Sequence, residues 1–402
     1  MKHITRAIWI LSIISLLSDI ASEMLYPIIP LYLKTIGFSA IYIGVLEGVA
    51  EATAGFSNGY FGKLSDVSGK RVPFVRIGYL LTTLSKPIIG IFKDPLMIII
   101  ARATDRLGKG IRTGARDAML SDETSAAHKG RVFGFHRSMD TAGAVIGLLL
   151  AYTYMFFAPG DYQTLFMLAF IPGIFSVVLT LFIKEKPKEK QEFISHDSAW
   201  QFITYWKHSS TEYKRIVIGL LLFTLFNGSD FFLLLKMKQD GLTDTTIIGI
   251  YIFYNLVYAS LALPLGIIAD KIGLKAMLML GLSSYAALYF GMAFNTSASP
   301  FLVLFFLYGF YSAATEGISK AWISNTSHKH DIATALGTFQ GLQSVGLLIA
   351  SLLTGVLWTF YGAEITFIIV GSITLFVAFY FFMMKPPKSK DGIQEETTPH
   401  NL

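Results

Sequence analysis

The sequence contains no cysteine and few charged residues. Of its 402 residues, 15% are charged and 53% are hydrophobic, whereas about 25% of a typical soluble domain is charged. The lack of cysteine excludes disulfide bonds, thiolate nucleophiles and cysteine-bound metal clusters. The lack of charge argues against a soluble enzyme, because a water-exposed surface needs more polar side chains than this chain provides.

Motifs for nucleotides, metals and covalent catalysis are missing as well. There is no Walker-type phosphate loop, so ATP-driven transport by this chain alone is not expected. There is also no zinc-ligand pair, nucleophile elbow or dinucleotide fingerprint. His328 and His330 are too closely spaced, in a loop, to indicate a metal site. We therefore expect no metal and no cofactor.

Long apolar stretches are abundant instead. Twelve of them approach the length of about 20 residues that a helix needs to cross a bilayer. They occupy residues 8–33, 42–61, 74–92, 96–120, 132–157, 163–183, 216–236, 246–268, 276–295, 301–323, 333–359 and 364–384. Short, turn-rich segments join most of them. We therefore predict an all-α membrane protein with twelve transmembrane helices.

A longer polar connection divides these spans into two groups of six. We predict an N-terminal six-helix bundle over residues 1–183, a cytoplasmic linker over 184–215, a C-terminal six-helix bundle over 216–384 and a cytoplasmic tail over 385–402. The part of the linker around Trp206 either forms a short helix on the membrane surface or is a plain connection.

The distribution of lysine and arginine predicts the orientation. Most of these residues near the span ends fall on one side, and the other side has only Lys34, Lys93, Lys236 and Lys238. Since positive residues favour the cytoplasm, both termini should be cytoplasmic. We expect a monomeric, multi-pass protein of the bacterial inner (cytoplasmic) membrane. The basic loops explain the net charge of +6 without a nucleic-acid partner.

The two groups of spans contain a repeated motif. Residues 62–69 read Gly-Lys-Leu-Ser-Asp-Val-Ser-Gly, and residues 266–273 read Gly-Ile-Ile-Ala-Asp-Lys-Ile-Gly, a separation of 204. Gly143 in the fifth span is matched by Gly346 in the eleventh at a separation of 203. Two matches at nearly one separation predict a duplicated six-helix unit, an arrangement found in transporters.

The first copy of this motif and part of the fourth span resemble the major facilitator superfamily. Residues 62–71 are similar to the family's signature loop, Gly-x-Leu-x-Asp-x-x-Gly followed by two basic residues. The fourth span adds Arg102, then Asp105 where the family usually has Gln, and later Asp122. The resemblance covers the whole chain. It implies the MFS fold of two pseudo-symmetric six-helix bundles, and solute transport by alternating access.

The resemblance also implies a conformational latch, because in the family the signature loop holds the two halves in one conformation. Carried over position by position, the latch would contain Gly62, Asp66, Gly69, Arg71, Asp122 and Asp270. The alternative is a solvated turn whose basic residues only set the topology.

Ionisable residues inside membrane spans are costly and usually functional. The fourth span has several cations whose spacing places them on one stripe, which cannot face lipid. We predict that these cations bind substrate together with polar residues of other spans: Arg102, Arg106, Lys109, Arg112, Arg137, Asn227, Tyr254, Gln340 and Gln343. The alternative is that the stripe forms buried ion pairs that only hold helices together.

Acids inside the spans are candidates for proton coupling, because burial favours a neutral carboxyl group and a nearby arginine favours the charged one. They are Asp19, Glu23, Glu51, Asp105, Asp140, Asp230 and Glu316. From depth alone, we expect Glu23 to lie near Arg102. By the same measure, Asp19 should lie near Arg106 or Lys109.

These features predict proton-coupled secondary active transport by alternating access. The excess of cations on the fourth span favours a small anionic solute, such as a carboxylate, an organic phosphate or a carboxylate-type siderophore. The alternative is proton-driven multidrug efflux of amphiphilic or cationic compounds. The glycine motif of drug exporters is only partly present in the fifth span, where Leu148 replaces the usual proline, and this argues mildly against efflux.

Two hypotheses from other classes fit the repeat less well. A membrane-embedded lipid enzyme would use Asp122, Glu123 and His128 near the interface. A non-transporting receptor would use the same fold to sense a ligand. We therefore predict no enzymatic activity, and the expected partners are a small-molecule substrate, protons and the lipid bilayer.

Overall fold

The computed structural model describes residues 5–124, 129–185, 201–295, 298–327 and 332–384. All regular secondary structure within these ranges is helical, which confirms the all-α prediction. The helices are α1 (Arg6–Glu23), α2 (Ile28–Thr35), α3 (Ala40–Ser68), α4 (Val72–Ile91), α5 (Pro95–Asp122), α6 (Lys129–Phe157), α7 (Tyr162–Thr180), α8 (Gln201–His208), α9 (Thr211–Thr224), α10 (Phe231–Gln239), α11 (Asp244–Ile272), α12 (Leu274–Phe294), α13 (Ala298–Thr326) and α14 (Ile332–Met383).

Eight helical segments of the described chain are long and apolar enough to cross a membrane. Helices α3 and α5, which carry many of the charges inside the predicted spans, are not among them. Each of the twelve predicted spans coincides with helix, and Gly362 interrupts α14 between the last two. The number of twelve membrane crossings stays a prediction.

Two predicted spans are broken rather than continuous. Residues 24–27 interrupt the first span between α1 and α2, where Pro27 has no N–H group for a helical hydrogen bond. Residues 225–230 interrupt the seventh span between α9 and α10. Broken helices at membrane depth are tolerated where the freed backbone lines a cavity. The span predicted over 8–33 thus contains a kink but still matches one candidate membrane span, Arg6–Thr35, whereas the span predicted over 216–236 is interrupted.

The internal repeat is visible in the backbone. Gly69 and Gly273, the last glycines of the two motif copies, both have a positive φ, of 65° and 92°. Gly37 and Gly241 form a second such pair, with φ of 89° and 86°. Both pairs have the sequence separation of 204 residues, so the helix-ending turns repeat with the motif. Left-handed backbone of this kind favours glycine because it lacks a Cβ atom.

The two halves meet along α3 and α14, with smaller contacts between α2 and α10 and between α6 and α11. Small residues allow α3 and α14 to approach closely. A Cβ atom on Gly355 would lie 2.7 Å from the carbonyl oxygen of Ala40, and one on Gly48 would lie 3.0 Å from that of Leu348. Close packing of small residues is a common way to join membrane helices. The predicted domain boundaries stay predictions.

The described part of the predicted linker contains α8 and the first residues of α9, and α8 contacts α14. The ring of Tyr205 packs against Tyr213 at 5.2 Å, with Trp206 at 6.3 Å from the same ring. This helix therefore docks on the C-terminal half. Residues 186–200 of the predicted linker and the predicted tail over 385–402 lie outside the described residues.

Candidate substrate cavity between the halves

A cavity of about 420 Å³ lies between the halves. The broken segment between α9 and α10 contributes Asn227, Gly228, Ser229 and Asp230 to its lining. Helices α13 and α14 extend its wall toward the side of the α11–α12 turn. Several predicted site residues line it: Glu51, Asn227, Asp230, Tyr254, Glu316, Gln340 and Gln343. Residues scattered along the sequence are thus brought together.

Asp230 is one of the three acids that line this cavity. The hydroxyl group of Tyr308 donates a hydrogen bond to Asp230 Oδ1. Among the described residues, no lysine, arginine or histidine forms an ion pair with Asp230. A carboxylate in a partly buried site without a cationic partner is poorly compensated. The site therefore retains an unmatched acid.

Asn227 lies three residues before Asp230 in the same break and is held by two tyrosines. Tyr285 donates to Asn227 Oδ1 at 2.7 Å, and Asn227 Nδ2 donates to the hydroxyl oxygen of Tyr311 at 3.2 Å. These bonds use both ends of the amide group. Asn227 is therefore oriented by the wall of the cavity, at the point where α9 ends.

Stacked tyrosines form one wall of the cavity. The rings of Tyr254 and Tyr308 are 4.5 Å apart and nearly parallel, at 19°. The rings of Tyr308 and Tyr311 are 6.0 Å apart at 10°. Tyr254 also shares a hydrogen bond of 3.2 Å with Ser312. The wall offers aromatic faces beside the unmatched carboxylate of Asp230.

Two arginines of the predicted cationic stripe on α5 are buried and form their polar contacts inside the N-terminal half. Arg102 is only 4% exposed, and its Nε atom donates to Glu47 at 2.8 Å. The expected neighbour, Glu23, is not its ion-pair partner. Arg112 is 3% exposed and donates to Ser18 at 2.9 Å. Neither arginine lines the cavity.

Other cations of α5 differ in exposure. Arg106 lies 3.6 Å from Glu51, which lines the cavity, whereas Arg106 itself does not. Arg116 pairs with the adjacent Asp117 at 2.9 Å. Lys109 is exposed, and no ion pair within 4.0 Å is found for it in the described part of the chain. The stripe thus contains both buried and exposed members.

Two of the predicted proton-coupling acids lie in buried polar clusters. Asp105 is 3.5 Å from Arg102 and 3.6 Å from Lys86. The sequence prediction missed Lys86, although a lone lysine inside the third predicted span was a signal for it. Asp140 lies 3.7 Å from His136, whose Nδ1 is 3.3 Å from the Ser12 hydroxyl.

The remaining predicted acids occupy different surroundings. Asp19 and Glu23 are half-buried on α1. Glu316 is 3.6 Å from Lys320 and accepts a hydrogen bond of 2.7 Å from Tyr258. It borders both the central cavity and a side cleft of about 660 Å³.

The side cleft opens between α6, α11 and α13 and takes in two further predicted residues. Arg137 and Asp270 line it, and both side chains are exposed. Arg137 therefore lines the side cleft and not the central cavity. No ion pair of Asp270 occurs within the described residues.

The predicted latch loop is partly described. Arg71 forms an ion pair with Asp122 at 2.9 Å, which joins the α3–α4 turn to the end of α5. The backbone N–H groups of Arg71 and Val72 donate to Glu185 at 3.0 and 2.9 Å. The side chain of Asp66 lies outside the described residues. Glu185 is a partner that the sequence prediction missed.

Gly62 and Gly69 have backbone roles in that loop. A Cβ atom on Gly114 of α5 would lie 2.9 Å from the Cα atom of Gly62, so the two helices approach closely there. Gly69 ends α3 in a left-handed conformation. Both glycines thus shape the turn that carries Arg71.

The match to a known family fits this geometry. The sequence profile of the Major Facilitator Superfamily matches residues 11–255 and 216–402. The chain belongs to this superfamily. It is therefore an integral multi-pass membrane transporter of a small-molecule substrate, and not an enzyme.

Individual superfamily members resemble the chain over nearly its whole length. The MFS-type transporter MJ1317 of Methanocaldococcus jannaschii is 32% identical over 388 residues, 94% of this chain and 96% of that protein. The multidrug resistance protein MdtG of Dickeya zeae is 23% identical over 94% of this chain and 93% of that protein. The crystal structure of nucleoside transporter NupG has a TM-score of 0.78 at 13% identity, covering 95% and 100% of the two chains. The last likeness shows the fold alone.

Proposed function

We propose that this transporter exchanges protons for a cationic, amphiphilic solute bound in the cavity between the halves. The observation that carries the proposal is the environment of Asp230. Its carboxylate lines the cavity, accepts a hydrogen bond from Tyr308 and has no cationic partner among the described residues. An amine or another cation on the solute would supply that partner.

The charges of the cavity lining favour a cation over an anion. The lining contains Glu51, Asp230, Glu316 and a single cation, Lys320. Arg106 balances Glu51, and Lys320 balances Glu316. The carboxylate of Asp230 has no such counter-charge among the described residues, so the lining has a net negative charge.

The aromatic wall favours a solute with an apolar or aromatic body. Cations over tyrosine faces gain about 0.5–2 kcal/mol, and more when they are removed from water. The ring of Tyr254 stacks on Tyr308, and the hydroxyl group of Tyr308 donates to Asp230. The aromatic faces therefore lie next to the carboxylate. The relative MdtG, named as a multidrug resistance protein, is consistent with such a solute.

This proposal replaces the anionic solute favoured by the sequence. That preference depended on the cations of α5, but Arg102 and Arg112 are buried and bonded inside the N-terminal half. An anion remains the second candidate because Lys109 and Arg137 are exposed. They would have to form its binding site, since the acidic central cavity would repel it.

Coupling follows from competition at one acid. A buried carboxylate is stabilised either by a proton or by a cationic group of the solute. When the cavity faces one side, the solute displaces the proton from Asp230; after the halves rock, a proton displaces the solute. Asp19 and Glu23 on α1 are further proton carriers in this proposal.

Transport in proteoliposomes with an imposed pH gradient tests the proposal. The probes are ethidium, an aromatic cation, and a radiolabelled sugar phosphate, an organic anion. We expect gradient-dependent ethidium movement that Asp230→Asn abolishes and Lys109→Gln leaves intact. Glu364→Gln, an exposed acid outside the cavity, is the matched control. Movement of the sugar phosphate alone, lost in Lys109→Gln, would establish the second candidate instead.

A further inference from the structure

The carboxylate of Glu47 joins the two halves beside Ser229, a residue of the cavity lining. Its Oε1 accepts from Arg102 Nε at 2.8 Å, and its Oε2 accepts from Arg102 Nη2 at 3.3 Å. The same Oε2 accepts a hydrogen bond of 3.3 Å from the hydroxyl group of Ser229, in the other half. Glu47 is only 1% exposed, so these contacts are shielded from bulk water.

Ser229 lies in the break between α9 and α10, directly before Asp230. Its oxygen also accepts from the backbone N–H of Phe231 at 3.3 Å, the first residue of α10. One hydroxyl group thus fixes the start of α10 relative to α3. Asp230 lies between Ser229 and Phe231 in the sequence, so this hydrogen bond spans it.

Aromatic contacts strengthen this junction. The guanidinium carbon of Arg102 lies 5.3 Å from the ring centre of Phe231 and 5.9 Å from that of Tyr26. The rings of Tyr26 and Phe231 are themselves 5.1 Å apart. Because Tyr26 belongs to the break between α1 and α2, both broken spans meet at the Arg102–Glu47 pair.

We propose that the hydrogen bond between Ser229 and Glu47 carries the charge state of Asp230 to the N-terminal half. Helix α3 is a firm support for Glu47, since Gly44 and Gly48 on either side pack closely against α14. A change of charge at Asp230 shifts the short segment containing Ser229. The shift is transmitted to Glu47 and, through Arg102, to Asp105 and Lys86. Glu47 and Ser229 are positioning residues, and they do not bind the solute in this proposal.

This inference rests on the proposed function only in taking Asp230 as the substrate acid. Its test needs no substrate. The chain has no cysteine, so spin labels attach only at Thr35→Cys and Gln239→Cys, exposed positions at the ends of the contacting helices α2 and α10. The distance between the labels, measured by double electron–electron resonance, reports whether this rim between the halves is closed or open.

The experiment is a double-mutant cycle. Asp230→Asn should change the ratio of open to closed rim by about tenfold, the scale of a hydrogen bond to a charged group. In a Ser229→Ala background, Asp230→Asn should have little effect on this ratio. In a Ser229→Thr background, which keeps a hydroxyl group, the response to Asp230→Asn should return. Ser260→Ala, an exposed serine outside the cavity, is the control and should leave the change intact.

An equal response to Asp230→Asn with and without the Ser229 hydroxyl would overturn the inference, as would no response in either background. Ser229→Ala leaves the Arg102–Glu47 ion pair in place, so the protein should still fold. Failure of ethidium transport would remove the proposed function but would not alter these distances.

Discussion

Arg102 Nε donates a hydrogen bond of 2.8 Å to Glu47 Oε1, and the two side chains are 4% and 1% exposed. The pair joins α5 to α3 within one half of the molecule. An arginine that the sequence suggests for substrate binding therefore neutralises a buried acid. The central cavity is left with the charges of its own lining, among which Asp230 has no cationic partner in the described chain.

Breaking this buried pair on one side should strongly destabilise the protein. Arg102→Gln leaves the Glu47 charge buried without its partner, which typically costs about 3–5 kcal/mol. We expect a markedly lower unfolding temperature for purified Arg102→Gln in detergent. The double variant Glu47→Gln with Arg102→Gln should lose less, because it removes both charges. An unchanged melting temperature in Arg102→Gln would contradict a buried structural pair.

The tyrosine wall should contribute to affinity through its rings. Tyr254→Leu removes a ring that stacks on Tyr308 at 4.5 Å. We expect weaker ethidium binding by roughly 0.5–2 kcal/mol, the range of a cation–aromatic contact. Tyr254→Phe keeps the ring and should bind nearly as well as the wild type. Fluorescence titration of the two purified variants with ethidium measures their affinities. An equal loss of affinity in Tyr254→Leu and Tyr254→Phe would assign the effect to the hydroxyl group.

The ion pair of the latch loop should affect the transport rate more than binding. Arg71 and Asp122 are 2.9 Å apart, with side chains 14% and 30% exposed. Such partly exposed pairs contribute about 0.2–1 kcal/mol, so Arg71→Asp should slow transport by a few-fold. Adding Asp122→Arg should recover part of the rate. If the double variant is slower than either single variant, a pairwise latch is ruled out.

A further contact between the halves lies at the rim that carries Thr35 and Gln239. Tyr162 of α7 donates to Asp244 of α11 at 2.5 Å, and Lys238 lies 2.5 Å from the other oxygen of that carboxylate. Tyr162→Phe should raise the fraction of open rim several-fold, since it removes a hydrogen bond to a charged group. The labels at residues 35 and 239 measure this fraction. The exposed Tyr361 provides the control Tyr361→Phe, which should have no effect.

Much of the fold was predictable because it depends on properties that run along the chain. Apolar length locates the spans, and motif spacing reveals the repeat, which reappears as the positive φ of Gly69 and Gly273. The family follows from the same motif and is confirmed by the profile match. The breaks at 24–27 and 225–230 were not predicted, because an interrupted helix is stable only where neighbouring helices form a cavity around it.

The site was less predictable because depth along a helix does not determine which way a side chain points. Glu23 interacts electrostatically with Arg102, as its depth suggested, but Glu47 rather than Glu23 forms the ion pair. Asp230 was suggested from its position inside a span, whereas its lack of a cationic partner in the described part of the chain emerges only from the three-dimensional arrangement. The contact of Ser229 with Glu47 had no sequence signal, since a serine is common in any break.

Proton release on ethidium binding tests the central claim most directly. Purified protein in a weakly buffered detergent solution is titrated with ethidium while a pH indicator is recorded, across a series of starting pH values. If solute and proton compete for Asp230, binding should release protons at the lower starting pH values, and Asp230→Asn should abolish the release and weaken the binding. Ethidium binding without proton release at any starting pH, or equal release in Asp230→Asn, would contradict the account.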